Sequence, residues 1–242
     1  MRLANKVAIV TGGTRGLGRA IAEQFLAEGA SVVCAARRPD ELASGRLHYI
    51  PVDVTDELSV RALVESTVDM FGHVDVMVAN AGVSRDGLIA KLSVADWETT
   101  VETNLTGVFL SVREAARHMV VRGEGRIITV SSCLATKPVP GAAAYSATKA
   151  AVEALTRTAA VELGPKGISV NCLAPGYMDG GMGRQLAAQP QLWRRYQPHL
   201  VLDRLGHPDE LAAAAVFLAS PASSYINGHV LEVNGGLHWL AA

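Results

Sequence analysis

Tyr145 and Lys149 stand four residues apart in AYSATKAAVEAL, a stretch of helical composition, and side chains at that spacing share one helix face. A free phenol titrates near about 10 and relays protons poorly at neutral pH, whereas an adjacent ammonium stabilises the phenolate and is expected to lower that value. The pair is therefore equipped for general acid–base work, although the same spacing alone also fits an exposed helix face. Ser132 directly follows the apolar run GRIITVS, and Asn104 lies in TNLTG inside a long helical segment. In a parallel sheet, strand ends of this kind open on a ligand crevice. Taken singly, Ser132 is also readable as a turn hydroxyl and Asn104 as a helix break, and Ser131 competes with Ser132. Cys133 has no histidine placed by sequence to activate it. The seven histidines show neither HExxH nor a short paired spacing, so no catalytic metal is expected.

Positioning these groups requires a scaffold, and the apolar pattern describes one. Short β-branched runs recur as VAIV at 7, SVVCAA at 31, HYIPVDV at 48, VDVMVAN at 74, GRIITVS at 125, ISVNCLA at 168 and HVLEVNG at 229. They are apolar on both faces, as parallel strands covered by helices on two sides must be. Helices are predicted at 16–28, 56–71, 93–121 with a break, 144–163 and 208–219. The alternation predicts one α/β domain over residues 1–242, a doubly wound Rossmann-type sheet of about seven strands. The crossover RRPDELASGRL leaves room for a very short helix at most. Residues 176–210 are too long for a plain connection and are expected to form a substrate-binding lid with one or two helices of their own. Helix 144–163 is lined with Ala, Val and Leu almost all round, which calls for more than one buried face, one on the sheet and another on a partner subunit or else wholly within the monomer.

Composition narrows the class. Of 242 residues 49% are hydrophobic, and 22 basic residues nearly balance 23 acidic ones for a formal charge of −1. Such a chain has material for a large core and no field for nucleic acid or an anionic membrane. No run reaches the roughly 18 apolar residues of a membrane span. Three widely spaced cysteines without CxxC fit a reducing, cytoplasmic setting.

TGGTRGLG, residues 11–18, directly follows the first strand and opens the first helix. Glycines there permit a tight turn, while the helix N-terminus offers free N–H groups and a positive dipole end to a phosphate. Its spacing, T-G-x-x-x-G-x-G, resembles that of the short-chain dehydrogenase/reductase family. The resemblance spans the whole chain: VDVTD around Asp53, ANAG at 79–82, TNLTG, VSSC, YSATK at 145–149, NCLAPG at 171–176 and ASSYINGHVLEVNGG at 222–236.

The resemblance implies that Ser132 hydrogen-bonds a substrate carbonyl, Tyr145 donates a proton as hydride arrives, Lys149 tunes Tyr145 and holds a ribose, and Asn104 anchors a water. It implies a nucleotide site from Gly12, Thr14, Arg15, Gly16, Leu17, Gly18, Arg37, Asp53, Val54, Asn80, Ala81, Gly82, Tyr145, Lys149, Pro175, Gly176 and Met178. Asp53 also fits a cap for the helix near 56, and Asn80 a strand-ending turn. NAD-preferring members carry an Asp where this chain has Ala36 in CAARRP. Its absence, with Arg37 and Arg15 available for charge-assisted hydrogen bonds, implies NADP(H); Arg38 is expected to be solvated.

The pattern is closest to the 3-oxoacyl-[acyl-carrier-protein] reductases of fatty acid synthesis, through SRDGLIAKL at 84–92 and through Arg126 and Lys166, which in that group dock the acidic carrier protein. Both are equally readable as solvated charges. A polyketide or other specialised ketone is the alternative substrate, and a non-catalytic NADP-binding sensor a remote one. A homotetramer or homodimer is implied. One departure stands out: Gly180 replaces a threonine that contacts the cofactor in the family, and Gly180-Gly181 should loosen the lid by roughly 1 kcal/mol per glycine, leaving it disordered without ligand.

Overall fold

The computed structural model describes residues 1–38 and 45–237. Seven strands, β1 (Val7–Thr11), β2 (Ser31–Ala36), β3 (Leu47–Pro51), β4 (Val76–Ala79), β5 (Gly125–Val130), β6 (Ile168–Pro175) and β7 (Val230–Val233), form one sheet in the order β3-β2-β1-β4-β5-β6-β7. Every pairing is parallel. The order reverses between β1 and β4, which opens a crevice at their carboxyl ends where such sheets take ligands. Most of the crossover RRPDELASGRL lies outside the described residues.

The period of two along each strand divides the core. Ile9, Val33 and Ile127 belong to one apolar cluster and Ala8, Val10, Val32 and Ile128 to another. Helices cover both sides: α2 (Glu57–Phe71), α4 (Gly107–Arg122) and α5 (Ala143–Leu163) supply residues to the first cluster, and α1 (Gly16–Ala27) and α8 (Pro208–Ala219) to the second. Local chemistry sets the boundaries. Asp56 accepts from the Leu58 amide to start α2, so the helix cap is Asp56 and not Asp53. Gly72, at φ 81°, stops it in a left-handed turn.

The break expected within 93–121 is a change of hydrogen bonding rather than an interruption. Helix α3 (Val94–Val101) passes through a π-helical turn at Glu102–Thr106 into α4, and such turns recur at functional sites. Between β6 and α8 the chain forms α6 (Gly181–Ala187), α7 (Pro190–Tyr196) and a 3₁₀ turn, matching the expected one or two helices. The base of this segment is closed by backbone bonds from Asp179 N to Gly206 O (2.7 Å) and from Gly206 N to Tyr177 O (2.9 Å).

Candidate active site

Three consecutive residues at the end of β5 meet one face of α5. The Val130 carbonyl accepts from Lys149 Nζ at 2.7 Å. The Ser131 hydroxyl lies 3.0 Å from both the Lys149 carbonyl and Glu153 Oε1. Ser132 Oγ accepts from the Leu134 amide at 3.2 Å and faces the Tyr145 phenol, on which it acts to lower the pKa. Of the two competing serines, Ser131 is tied to α5 through Glu153 and the Lys149 carbonyl, while Ser132 faces the Tyr145 phenol.

Burial governs the titration of this group. Lys149 is 3% exposed, and desolvation lowers its pKa to about 8, opposed only by the nearby Cys172. The Tyr145 phenol moves the other way from the expectation: desolvation raises it to about 12 and outweighs the Ser132 hydrogen bond that lowers it. The physical reason is that Lys149 Nζ is directed at the Val130 carbonyl and stands 5.5 Å from the Tyr145 ring centroid, while loss of water penalises the phenolate directly. Burial likewise pushes the Cys133 thiol up to about 11, which leaves it protonated and a poor nucleophile at neutral pH.

Asn104 is fully buried inside the π-helical turn. Its amide closes a reciprocal pair with Val83, donating to the carbonyl and accepting from the N–H at 2.8 Å each. A Cβ on Gly82 would come 3.3 Å from Asn104 Oδ1 and 3.7 Å from Lys149 Nζ. The loop after β4, Asn104 and Lys149 therefore converge on one spot.

At the neighbouring strand ends the glycine turn is shaped for close approach. Gly12 and Gly16 have φ of 67° and 56°, and a Cβ on Gly18 would sit 2.3 Å from the Gly12 carbonyl. Arg15 precedes α1 without capping it through its side chain, so the first-turn amides stay available to an anion. Gly12 N donates to Ala35 O at 2.7 Å, which sets the turn beside Ala36 and Arg37. Arg15, Arg37 and Arg38 are exposed, and Thr14 and Leu17 partly so. The Asp53 carboxylate accepts from Thr55 N and Oγ1, and these bonds with the Arg37 charge hold its pKa low. Val54 is buried against Gly107. This cradle fits a dinucleotide: it is closed to side chains at the turn and cationic at its rim.

Asn80 proves to be a staple as well as a wall. Its side chain donates to Thr11 O at 2.9 Å, while the Asn80 and Ala81 amides both donate to Thr11 Oγ1. Thr11 thereby joins the candidate site, and its signal in the chain is a threonine immediately before the glycine turn. Pro175 ends β6, Gly176 packs so tightly that a Cβ would lie 2.7 Å from Asn234 Cα, and Met178 is buried. Arg126 and Lys166 lie elsewhere, at the amino ends of β5 and β6, where Arg126 donates to Ser169 Oγ at 3.1 Å and Lys166 is exposed. Among the described residues no helix is long and apolar enough to cross a membrane, and no group of three His, Cys, Asp or Glu could hold a metal.

Comparison with known proteins agrees with this geometry. A family model described as enoyl-(acyl carrier protein) reductase matches residues 12–238. The chain is 37% identical to the 3-oxoacyl-[acyl-carrier-protein] reductase FabG of Vibrio cholerae over 99% of this chain and 100% of the relative. It is 35% identical to the FabG of Aquifex aeolicus over 98% and 99%. The solved structure of a levodione reductase superposes with a TM-score of 0.91 at 29% identity, covering 97% of this chain and 98% of that one. With so nearly the whole sequence and fold matched, this protein belongs to the short-chain dehydrogenase/reductase family, NAD(P)-binding oxidoreductases that act on CH–OH groups and their ketones.

Proposed function

We propose that the chain is an NADPH-dependent ketoreductase whose substrate is a 3-oxoacyl thioester borne on acyl carrier protein. The observation that carries this is the row at the β5 end, which brings two hydroxyls and one ammonium together at the mouth of the sheet. The bound nicotinamide supplies hydride. Ser132 donates a hydrogen bond to the ketone oxygen and orients it. Tyr145, held neutral by a pKa of about 12, is in the form that donates a proton to that oxygen, so the site is set for reduction at neutral pH. Lys149 holds the ribose and, once turned from the Val130 carbonyl toward the phenol, would stabilise the resulting phenolate, and Asn104 fixes the wall that a relay water would use. Arg15 and Arg37 take the 2′-phosphate, with no carboxylate at Ala36 to repel it. The names of the curated relatives support the thioester substrate.

A second reading, a specialised or polyketide ketone, is favoured by one feature. Tyr177 and Trp193, carried by the segment over the crevice, pack with Leu134, Leu200 and Leu237 on Cys133, next to Ser132, and Tyr196 lies 5.6 Å from Tyr177. Such an aromatic wall suits a ring. A homodimer or homotetramer would use the outer face of α5, where Ala147, Ala150, Ala154 and Val161 are exposed; a monomer in analytical ultracentrifugation at micromolar concentration would refute it. The three buried free cysteines fit a cytoplasmic setting.

NADPH oxidation with acetoacetyl thioester and with a cyclic ketone separates the readings. Thioester turnover supports the first, ring turnover alone the second, and nucleotide binding without turnover a sensor. Tyr145→Phe should lose on the order of 10²–10⁴ in kcat while still binding NADPH; wild-type turnover in that variant would overturn the mechanism.

A further inference from the structure

We propose that Glu153 is a positioning residue for the reaction, acting through Ser131 to hold the strand end and α5 in register. The contacts form a ladder. Val130 and the adjacent Ser131 bond Lys149 and Glu153, one turn apart on α5, and the next residue, Ser132, faces Tyr145 one turn earlier on the same face. Two of those rungs belong to the chemistry. The third does not touch substrate or cofactor, yet it lies between them in the strand.

Glu153 is 6% exposed and Ser131 1%. A buried carboxylate is costly unless its oxygens are occupied, and here both are. Oε1 takes the Ser131 hydroxyl at 3.0 Å, and Oε2 faces Arg157 Nη2 at 3.4 Å. The Ser131 hydroxyl has one hydrogen and two acceptors in reach, Glu153 Oε1 and the Lys149 carbonyl. One O–H serves both as a three-centre bond, with the carboxylate the stronger acceptor, so Glu153 fixes the hydroxyl's direction and holds Oγ beside the Lys149 carbonyl. Ser131 is also pinned to the sheet, its amide donating to Leu173 O at 2.7 Å. The clamp thus joins β6, the residue before Ser132 and the turn of α5 that carries Lys149. Loss of it frees Ser132 and Lys149 to drift relative to Tyr145, and small misplacements of reacting groups are expensive in rate.

The inference rests on the reductase reading, and wild-type turnover tests that reading separately from the variants. Using the ketone that the wild type reduces, kcat and KM are measured for Ser131→Ala, Glu153→Ala, the double variant and Glu153→Gln, with NADPH affinity followed by its fluorescence. Each single Ala variant should lose on the order of ten-fold in kcat with the ketone KM within about two-fold, and the double variant should be no slower than the worse single one, as for two halves of one clamp. Glu153→Gln retains an acceptor oxygen and should stay within about two-fold of wild type, with NADPH affinity unchanged. Should Glu153→Ala fail to fold, Ser131→Ala and Glu153→Gln carry the test. Wild-type kcat in Ser131→Ala, or losses that multiply in the double variant, would overturn the proposal.

Discussion

Replacing Lys149 by Met should change how stability depends on pH. Lys149 is buried and its pKa falls from 10.5 to about 8. Each tenfold change in a proton affinity is worth about 1.4 kcal/mol, so at neutral pH the buried ammonium costs the nucleotide-free fold up to about 3 kcal/mol. Below pH 8 the lysine is charged in both the folded and unfolded chain, and that cost is constant. Between about 8 and 10.5 the unfolded chain retains the proton that the folded chain has lost, so the wild type gains stability as pH rises. Urea unfolding of wild type and Lys149→Met, without nucleotide and at one protein concentration, should therefore differ by about 2–3 kcal/mol more in favour of the wild type at pH 10 than at pH 7. Groups common to both chains cancel, including Tyr145, whose raised pKa acts above pH 10. A difference independent of pH would refute the claim that the ammonium is held desolvated.

Two further perturbations address the nucleotide. Ala36→Asp with Arg37→Ala should move the kcat/KM ratio toward NADH, because a carboxylate beside the cradle repels a 2′-phosphate and accepts ribose hydroxyls; an unchanged ratio would remove Arg37 from the phosphate site. Gly180→Thr should be accommodated, since φ of −172° is ordinary extended backbone and the nearest neighbour of a Cβ there is Pro208 Cγ at 3.7 Å. At the N-cap of α6 the hydroxyl can take a free helix amide or reach the cofactor, so the KM for NADPH should fall a few-fold and limited proteolysis within residues 181–196 should slow. A raised KM would show that Gly180 is required there rather than merely tolerated.

Legibility in the sequence followed the range of each interaction. The seven-stranded sheet was readable because β-branched runs such as VAIV and SVVCAA report burial on both faces through local period alone. The glycine turn was readable because positive φ at Gly12 and Gly16 restricts residue type locally. Tyr145 and Lys149 announced a shared face because four-residue spacing does so in any helix. What spacing could not express was the environment of the groups. The direction of the Tyr145 shift depended on where Lys149 Nζ points and on how much water is lost. That Ser131, and not its neighbour Ser132, is tied to α5 depended on Glu153, a residue 22 positions away from Ser131. Thr11 acquired its role only from β4 lying beside β1, which lets one hydroxyl take two amides from residues 80 and 81. The elements and the chemical repertoire could be read from residue order, because both are properties of neighbours in the chain. Protonation, hydrogen-bond partners and register emerged with the fold, because these are set by desolvation and by contacts between residues far apart in the chain.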